Sequence, residues 1–317
     1  MFRNFTQWSL CVIISVAAIL IAGAAMAQYN RPGSTDAQFL LISVSPRGSA
    51  MGDSFFSLVE GGEAGFYNEA ALARSEGSSA VLDHVMWLAD ISEDFFGFSH
   101  TFGTLGSFGV YVASLHTSPM EETTPLMPDG TGQTFRAYNS KFNLSYARYL
   151  TDRVTIGASV GYIYMSLFPG FSARAVTGDV SVMYVDEAFH QLHFALRIEN
   201  FGSDVKYVNE AYPLPTAFEF GLGFNVIDNK SYRMLLAVSA VKPNEQPSQL
   251  RTGVELVLLD KLYIRAGYKP MDQEQNLSLG LGVLTKVFGN EIAFDYSFTK
   301  FVLLGDVQRF GVQFFIH

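Results

Sequence analysis

From residue 216 to residue 316 the chain runs in short segments in which large apolar side chains alternate with small or charged ones. In the first, Phe218, Phe220, Leu222, Phe224 and Val226 share one face, and Glu219, Gly221, Gly223 and Asn225 share the other. Further on, Thr252, Val254, Leu256 and Leu258 oppose Arg251, Gly253, Glu255 and Val257, and Leu262, Ile264 and Ala266 oppose Tyr263, Arg265 and Gly267. A period of two in segments of about ten residues predicts β-strands. In a soluble sheet the face opposite the apolar one is richly charged. Here it is mostly Gly, Ser and Thr, with few charges. That inversion predicts lipid outside and a polar interior, the pattern of an all-β, transmembrane antiparallel β-barrel.

Extended along the chain, the pattern predicts about 14 strands, at 79–89, 95–103, 107–116, 136–149, 154–167, 173–185, 189–200, 216–227, 231–241, 248–259, 262–269, 276–286, 290–301 and 306–316. An even count returns both ends of a single-chain barrel to the periplasmic side. The longer connections at 117–135 and 201–215 then face outward, and the tight turn at 150–153 faces the periplasm.

Ahead of the strands the reading changes. Residues 1–27 carry Arg3, an apolar run from Leu10 to Ile21 and the small-x-small triplet Ala25-Met26-Ala27, which reads as a secretory signal peptide. Residues 28–78 form an N-terminal lead and a lumenal plug. The part at 28–37 reads as flexible, and the part at 39–73 is rich in Gly, Ala and aromatic residues without a long alternating run. Asp53 is positioned to cap a short helix through Val59, and Asn68 another through Ala73. Phe39, Leu40, Phe55, Phe56, Leu58, Phe66, Tyr67 and Leu72 need burial, and the lumen of the barrel at 79–317 offers it.

Composition narrows the class. Of 317 residues 49% are hydrophobic and only 16% charged, against about 25% charged in a soluble domain. The formal charge of -9 argues against a nucleic-acid partner. The single cysteine, Cys11, falls in the signal region, so the mature chain has no thiol chemistry. His84, His100, His116, His190, His193 and His317 form no metal spacing, and His190 and His193, three apart on a strand, face opposite ways. Nothing points to a cofactor, a metal or a catalytic residue, so an enzyme is not expected.

With the large apolar face turned to lipid, Asp179, Arg197, Glu199, Glu219, Arg233, Arg251, Glu255, Arg265, Asp295 and Arg309 point into the lumen. Two readings are open: a ligand or permeation path, or a paired network binding the wall to the plug. The second is favoured, with Glu219, Arg251, Glu255, Arg265, Asp295 and Arg309 as its members.

The stretch FLLISVSPRGSAMGDSFFSLVEGGEAGFYNEAALA at 39–73 resembles the opening of the PorV/PorQ family of outer-membrane proteins, which share the FadL-like barrel. Arg47, Met51, Gly52 and Asn68 match its pattern in the plug, whereas the family's usual proline is Glu69 here. IENFGSDVKY, PLPTAFEFGL, TGVELVLLDKLYIRAGYK and FDY add further similarity, over nearly the whole mature chain. The resemblance implies a fourteen-stranded barrel in the outer membrane of a Gram-negative bacterium. It also implies a non-enzymatic role in type IX protein secretion and surface attachment, with protein partners from such a complex. The alternative is an outer-membrane transporter of hydrophobic small molecules such as fatty acids, with such a molecule or a detergent in the lumen. Outer-membrane lipid is a partner in either case.

Overall fold

The computed structural model describes residues 32–188, 191–229, 231–270, 272 and 274–316. The signal segment lies outside the described residues, as do His190 and His317. Fourteen strands form one closed antiparallel barrel. They are β1 (Ser78–Met86), β2 (Ile91–Thr101), β3 (Ser107–Thr117), β4 (Tyr138–Tyr149), β5 (Val154–Phe168), β6 (Phe171–Asp186) and β7 (Leu192–Gly202). The circuit continues with β8 (Ala217–Asp228), β9 (Tyr232–Pro243), β10 (Gln249–Leu258), β11 (Leu262–Tyr268), β12 (Leu277–Val287), β13 (Asn290–Phe301) and β14 (Gly305–Ile316). Each pairs with its chain neighbours, and β14 closes on β1 with Ile316 opposite Ser78 and Gln308 opposite Met86. Closure leaves no edge strand, which a sheet in hydrocarbon requires because lipid offers no hydrogen bonds.

The alternation in the sequence becomes two faces of one wall. Leu82, Phe96, Val112, Phe142, Tyr162 and Val176 stand in cross-strand register on the outside of β1 to β6. Phe310, Tyr296, Leu281 and Ile264 continue an apolar surface over β14 to β11. Such an outer wall is stable only in lipid, and the chain is an outer-membrane-type barrel. Among the described residues no helix is long and apolar enough to cross a membrane; the strands make the crossing. The turns at 150–153, 259–261 and 288–289 lie at one end. The longer connections at 118–137, 203–216 and 269–276 lie at the other, extracellular end, where Met120–Glu121 pairs with Thr134–Phe135 and Val205–Lys206 with Ala211–Tyr212.

Strand limits shift from expectation by up to four residues, and the first hairpin shows why. β1 stops at Met86 because Ala89 and Asp90 take positive φ in the turn, and β2 starts at Ile91 rather than 95. Glu93 and Asp94 break the apolar pattern there, yet both sit in the ladder, Glu93 inward and Asp94 outward beside His84 and His116.

Residues 35–74 run down the inside of the barrel. Helix α1 (Pro46–Ala50) lies against β11 to β14, and the 3-10 turn Phe55–Ser57 against β7 to β9. The 3-10 turn Gly61–Glu63 meets β1 to β3, while α2 (Ala64–Tyr67) and the 3-10 turn Glu69–Arg74 meet β2 to β6. The segment therefore touches most of the wall's circumference. Phe55, Phe56, Tyr67 and Leu72 are buried with Val81, Phe95, Tyr111 and Met183 of the wall. Phe66 stacks edge-on to Tyr67, Phe95 and Tyr111 at 4.8, 5.5 and 5.4 Å. Burying each such side chain contributes roughly 1.5–3 kcal/mol, which is why the segment is held in place.

The small residues on the inner face make room for it. A Cβ on Gly221 would lie 2.2 Å from the Phe56 ring, and one on Gly253 2.4 Å from the Met51 carbonyl oxygen. At Gly267 the obstacle is backbone: a Cβ would fall 2.0 Å from the amide nitrogen of Gly52, itself at a φ of 63°. Gly267 is fixed in the wall ladder opposite Gly253 and Ser278, and Gly52 N is tied to the Ser49 carbonyl, so Gly267→Ala costs about 1–3 kcal/mol. The check is a lower temperature for the loss of heat-modifiable gel mobility.

Three local expectations are corrected. The lead is not free from residue 35 on: Thr35 N donates to Glu245 Oε2 at 3.1 Å, Gln38 Nε2 to Glu245 Oε1 at 2.6 Å, and Asp36 N to the Pro213 carbonyl at 3.0 Å. Its polar groups are satisfied by two extracellular loops. Asp53 caps no helix, because its φ of 57° turns the chain away and its carboxylate is committed to Lys269. Asn68 does precede a 3-10 turn, but its side chain caps nothing there; Nδ2 donates to the Phe56 carbonyl at 3.1 Å and ties two parts of the inner segment together.

Candidate binding cavity in the barrel lumen

Among the described residues the inner segment leaves a space toward each end of the lumen, and the two share no lining residue. The extracellular one, about 270 Å³, lies beneath the long loops. Leu40, Leu41, Ile42, Phe66, Trp87 and Phe301 supply its apolar wall, and Arg197, Glu219, Gln249, Arg251 and Lys269 its polar one. The periplasmic one, about 330 Å³, is lined largely by charged groups, among them Arg47, Glu60, Arg74, Glu76, Arg265, Glu291 and Asp295. A larger concavity of about 760 Å³ lies on the outer wall among Leu82, Phe96, Leu281, Phe294 and Phe310. Its position among outward side chains makes it an acyl-chain contact surface.

Of the charged residues expected in the lumen, Arg233 instead lies at the start of β9, partly exposed and 3.9 Å from Asp260 of the 259–261 turn, and the others do not form one network. Arg265 Nε donates to Glu255 at 2.5 Å and Arg265 also pairs with Asp295. Arg47 closes the group, with Nε and Nη2 on the two oxygens of Glu255 at 3.0 and 2.9 Å. Arg47 thereby ties α1 to β10, the bidentate geometry that suits arginine. Glu219 and Arg251 form a separate, loose pair at 3.8 Å. Arg309 stands apart from both groups: it donates to the Ser43 carbonyl at 2.8 Å and to Thr299 Oγ1 at 3.3 Å, and lies over the Trp87 ring. Met51 and Gly52 contribute no polar chemistry; they are the point where the inner segment passes closest to β10 and β11.

A third group was not assembled from sequence. Glu69, the residue where the resemblance expects proline, accepts from Arg197 Nη2 at 3.0 Å with both side chains buried. Arg197 also reaches Glu199 at 2.8 Å and Asp179 at 3.8 Å, and Lys141 pairs with Asp179 at 3.3 Å. The inward parity of Lys141 was legible, since it alternates with Phe142 and Leu144; the partner of Glu69 was not. His193, inward as its parity requires, meets only the Ser57 carbonyl, at 3.1 Å.

Three carboxyl groups of the inner segment, Asp53, Glu63 and Glu69, have displaced pKa values; burial raises Glu69 to about 7, opposed by the Arg197 guanidinium. Burial alone would raise Asp53, but the Lys269 ammonium and Arg251 hold it down at about 2. Burial raises Glu63 to about 7, opposed by the hydroxyl of Ser45, which donates to it at 2.9 Å. The folded state therefore holds the Glu63 proton more tightly than the unfolded chain, whose ordinary value is 4.5. Its contribution is complete below about pH 4.5 and lost as pH rises toward 7. Wild type should lose stability relative to Glu63→Gln between those limits, read from urea midpoints across the range.

No family model matches the chain, and no curated protein matches it in sequence. Solved structures do. The toluene transporter TbuX of Ralstonia pickettii superposes with a TM-score of 0.57 at 16% identity, over 88% of this chain and 100% of that one. The toluene transporter TodX of P. putida gives 0.56 at 11%, over 86% and 98%. A FadL homologue of Pseudomonas aeruginosa gives 0.52 at 11%, over 86% and 98%. The fold is thus that of a FadL-like barrel. The expectation of a secretion component is corrected here, since the proteins that share the architecture across most of the chain are named as toluene transporters and a FadL homologue.

Proposed function

We propose that this barrel admits small hydrophobic molecules across the outer membrane, taking them first into the extracellular cavity. The observation that carries the reading is that cavity itself, whose apolar side of Leu40, Leu41, Ile42, Phe66, Trp87 and Phe301 faces a polar side across a space between the inner segment and the wall. The names of the similar structures, toluene transporters and a FadL homologue, point the same way. Residues 35–74 act as a plug: they occupy the lumen and exclude free passage of water and ions. Onward movement requires part of the plug to shift, and its contacts differ in strength. The Arg47 to Glu255 and Glu69 to Arg197 anchors hold it to the wall, while Leu40 to Ser43 carry no ion pair.

The motif similarity at 39–73 supports a finer kinship with the PorV/PorQ group, as ancestry within FadL-like barrels. The test of function is deletion of the gene in its native host, scored for uptake of labelled toluene and for surface display of secreted proteins. Uptake should fall severalfold and return on complementation, with display unchanged. Unchanged uptake would refute the reading.

A further inference from the structure

We infer that the extracellular cavity selects an uncharged hydrophobic molecule bearing a hydroxyl head, a small alcohol or phenol, over a plain hydrocarbon or a carboxylate of the same size. The inference rests on the channel reading above and adds what the cavity recognises. Its volume, about 270 Å³, is just below the range of ~300–1,000 Å³ typical of ligand pockets, which favours a compact molecule over a long chain.

Charge argues against an anionic head. Arg197, Arg251 and Lys269 line the cavity, but so do Asp53, Glu199, Glu219 and Asp272. Each cation already has a carboxylate: Arg197 with Glu199 at 2.8 Å, Arg251 with Glu219 at 3.8 Å, and Lys269 with Asp53. An incoming carboxylate would have to displace one of these acids and sit among the others.

The unpaired polar atoms argue for a hydroxyl. Glu219 is 5% exposed and lines the cavity, yet its Oε1 has no hydrogen-bond partner. The nearest cation, Arg251 Nη1, is 3.8 Å away, too far for a hydrogen bond. Arg251 itself has a buried, unpartnered Nε. A carboxylate oxygen lacking a donor and a guanidinium nitrogen lacking an acceptor, both buried, thus belong to two residues that line one space. A hydroxyl is a donor and an acceptor in one group and can serve both. A hydrocarbon excludes water from these atoms and replaces none of its hydrogen bonds.

The test uses the purified full-length mature protein in lipid nanodiscs, with the fluorescence of Trp87, a cavity residue, as reporter. The probes are cyclohexanol, cyclohexane and cyclohexanecarboxylate at pH 7, which do not absorb where tryptophan does. Cyclohexanol should bind about 10–100-fold more tightly than either analogue, the range for a hydrogen bond to a charged group. Glu219→Leu should remove most of that preference while cyclohexane binding persists. Should that variant not fold, the three-probe series on wild type still decides. Equal or tighter binding of cyclohexane or of the carboxylate overturns the hydroxyl inference and leaves the channel reading standing. Absence of binding by all three also overturns it, and the toluene-uptake assay then determines whether the channel reading falls too.

Discussion

Replacing Arg197 by Met should destabilise the folded barrel by about 3–5 kcal/mol, the cost of removing one partner from a buried ion pair. Arg197 is 4% exposed and faces Glu69 at 3.0 Å, Glu199 at 2.8 Å and Asp179 at 3.8 Å. Without it, the Glu69 carboxyl group is left buried against the wall with no cation in contact, and Asp179 keeps only Lys141 as its cation. Two comparisons separate this account from general fragility. The double variant Glu69→Leu with Arg197→Met should recover part of the loss, because the stranded carboxyl group is then gone. Arg153→Met, which breaks the exposed pair with Asp186, should cost no more than about 1 kcal/mol. Urea midpoints of the refolded proteins in lipid give all three values.

The second large effect lies on the outer wall. Phe294 is 50% exposed on β13, well inside the strand from either end, and next to the inward Asp295. Phe294→Arg should cost about 2–4 kcal/mol, because the guanidinium meets hydrocarbon near mid-membrane. The same substitution at Phe288, which is fully exposed in a turn at the periplasmic end, should cost about 0–1 kcal/mol. Equal costs at the two positions would mean that the wall is not in lipid as described.

Much of this was readable from the chain. Strand periodicity assigned a face to almost every residue, since a period of two leaves one choice once the lipid side is known. Glu219, Arg265 and Asp295 turned inward and Phe218, Phe294 and Phe310 outward for that reason alone. The aromatic content of residues 39–73 implied a buried site for them. What parity cannot supply is which inward charges meet across the lumen. Arg309 reads as a member of the ion network, yet its partners are a backbone carbonyl and Thr299. Glu69 to Arg197 joins residues 128 apart, and no local pattern encodes that contact. The cavity is harder still, because it is the space left where Ile42, Trp87 and Phe301 converge from three parts of the chain. The role drawn from motif similarity failed for a related reason: the motifs describe how the inner segment packs, and that packing serves any barrel of this architecture.

The most direct measurement fills the extracellular cavity and leaves the barrel intact. Ile42 lines that space at a point without an ion pair, so Ile42→Trp occupies it from a position where the wall is not stressed. Entry of labelled toluene into proteoliposomes should be faster with wild type than with empty vesicles. With folded Ile42→Trp it should fall at least severalfold. Entry through the filled variant at the wild-type rate would contradict a route through this cavity.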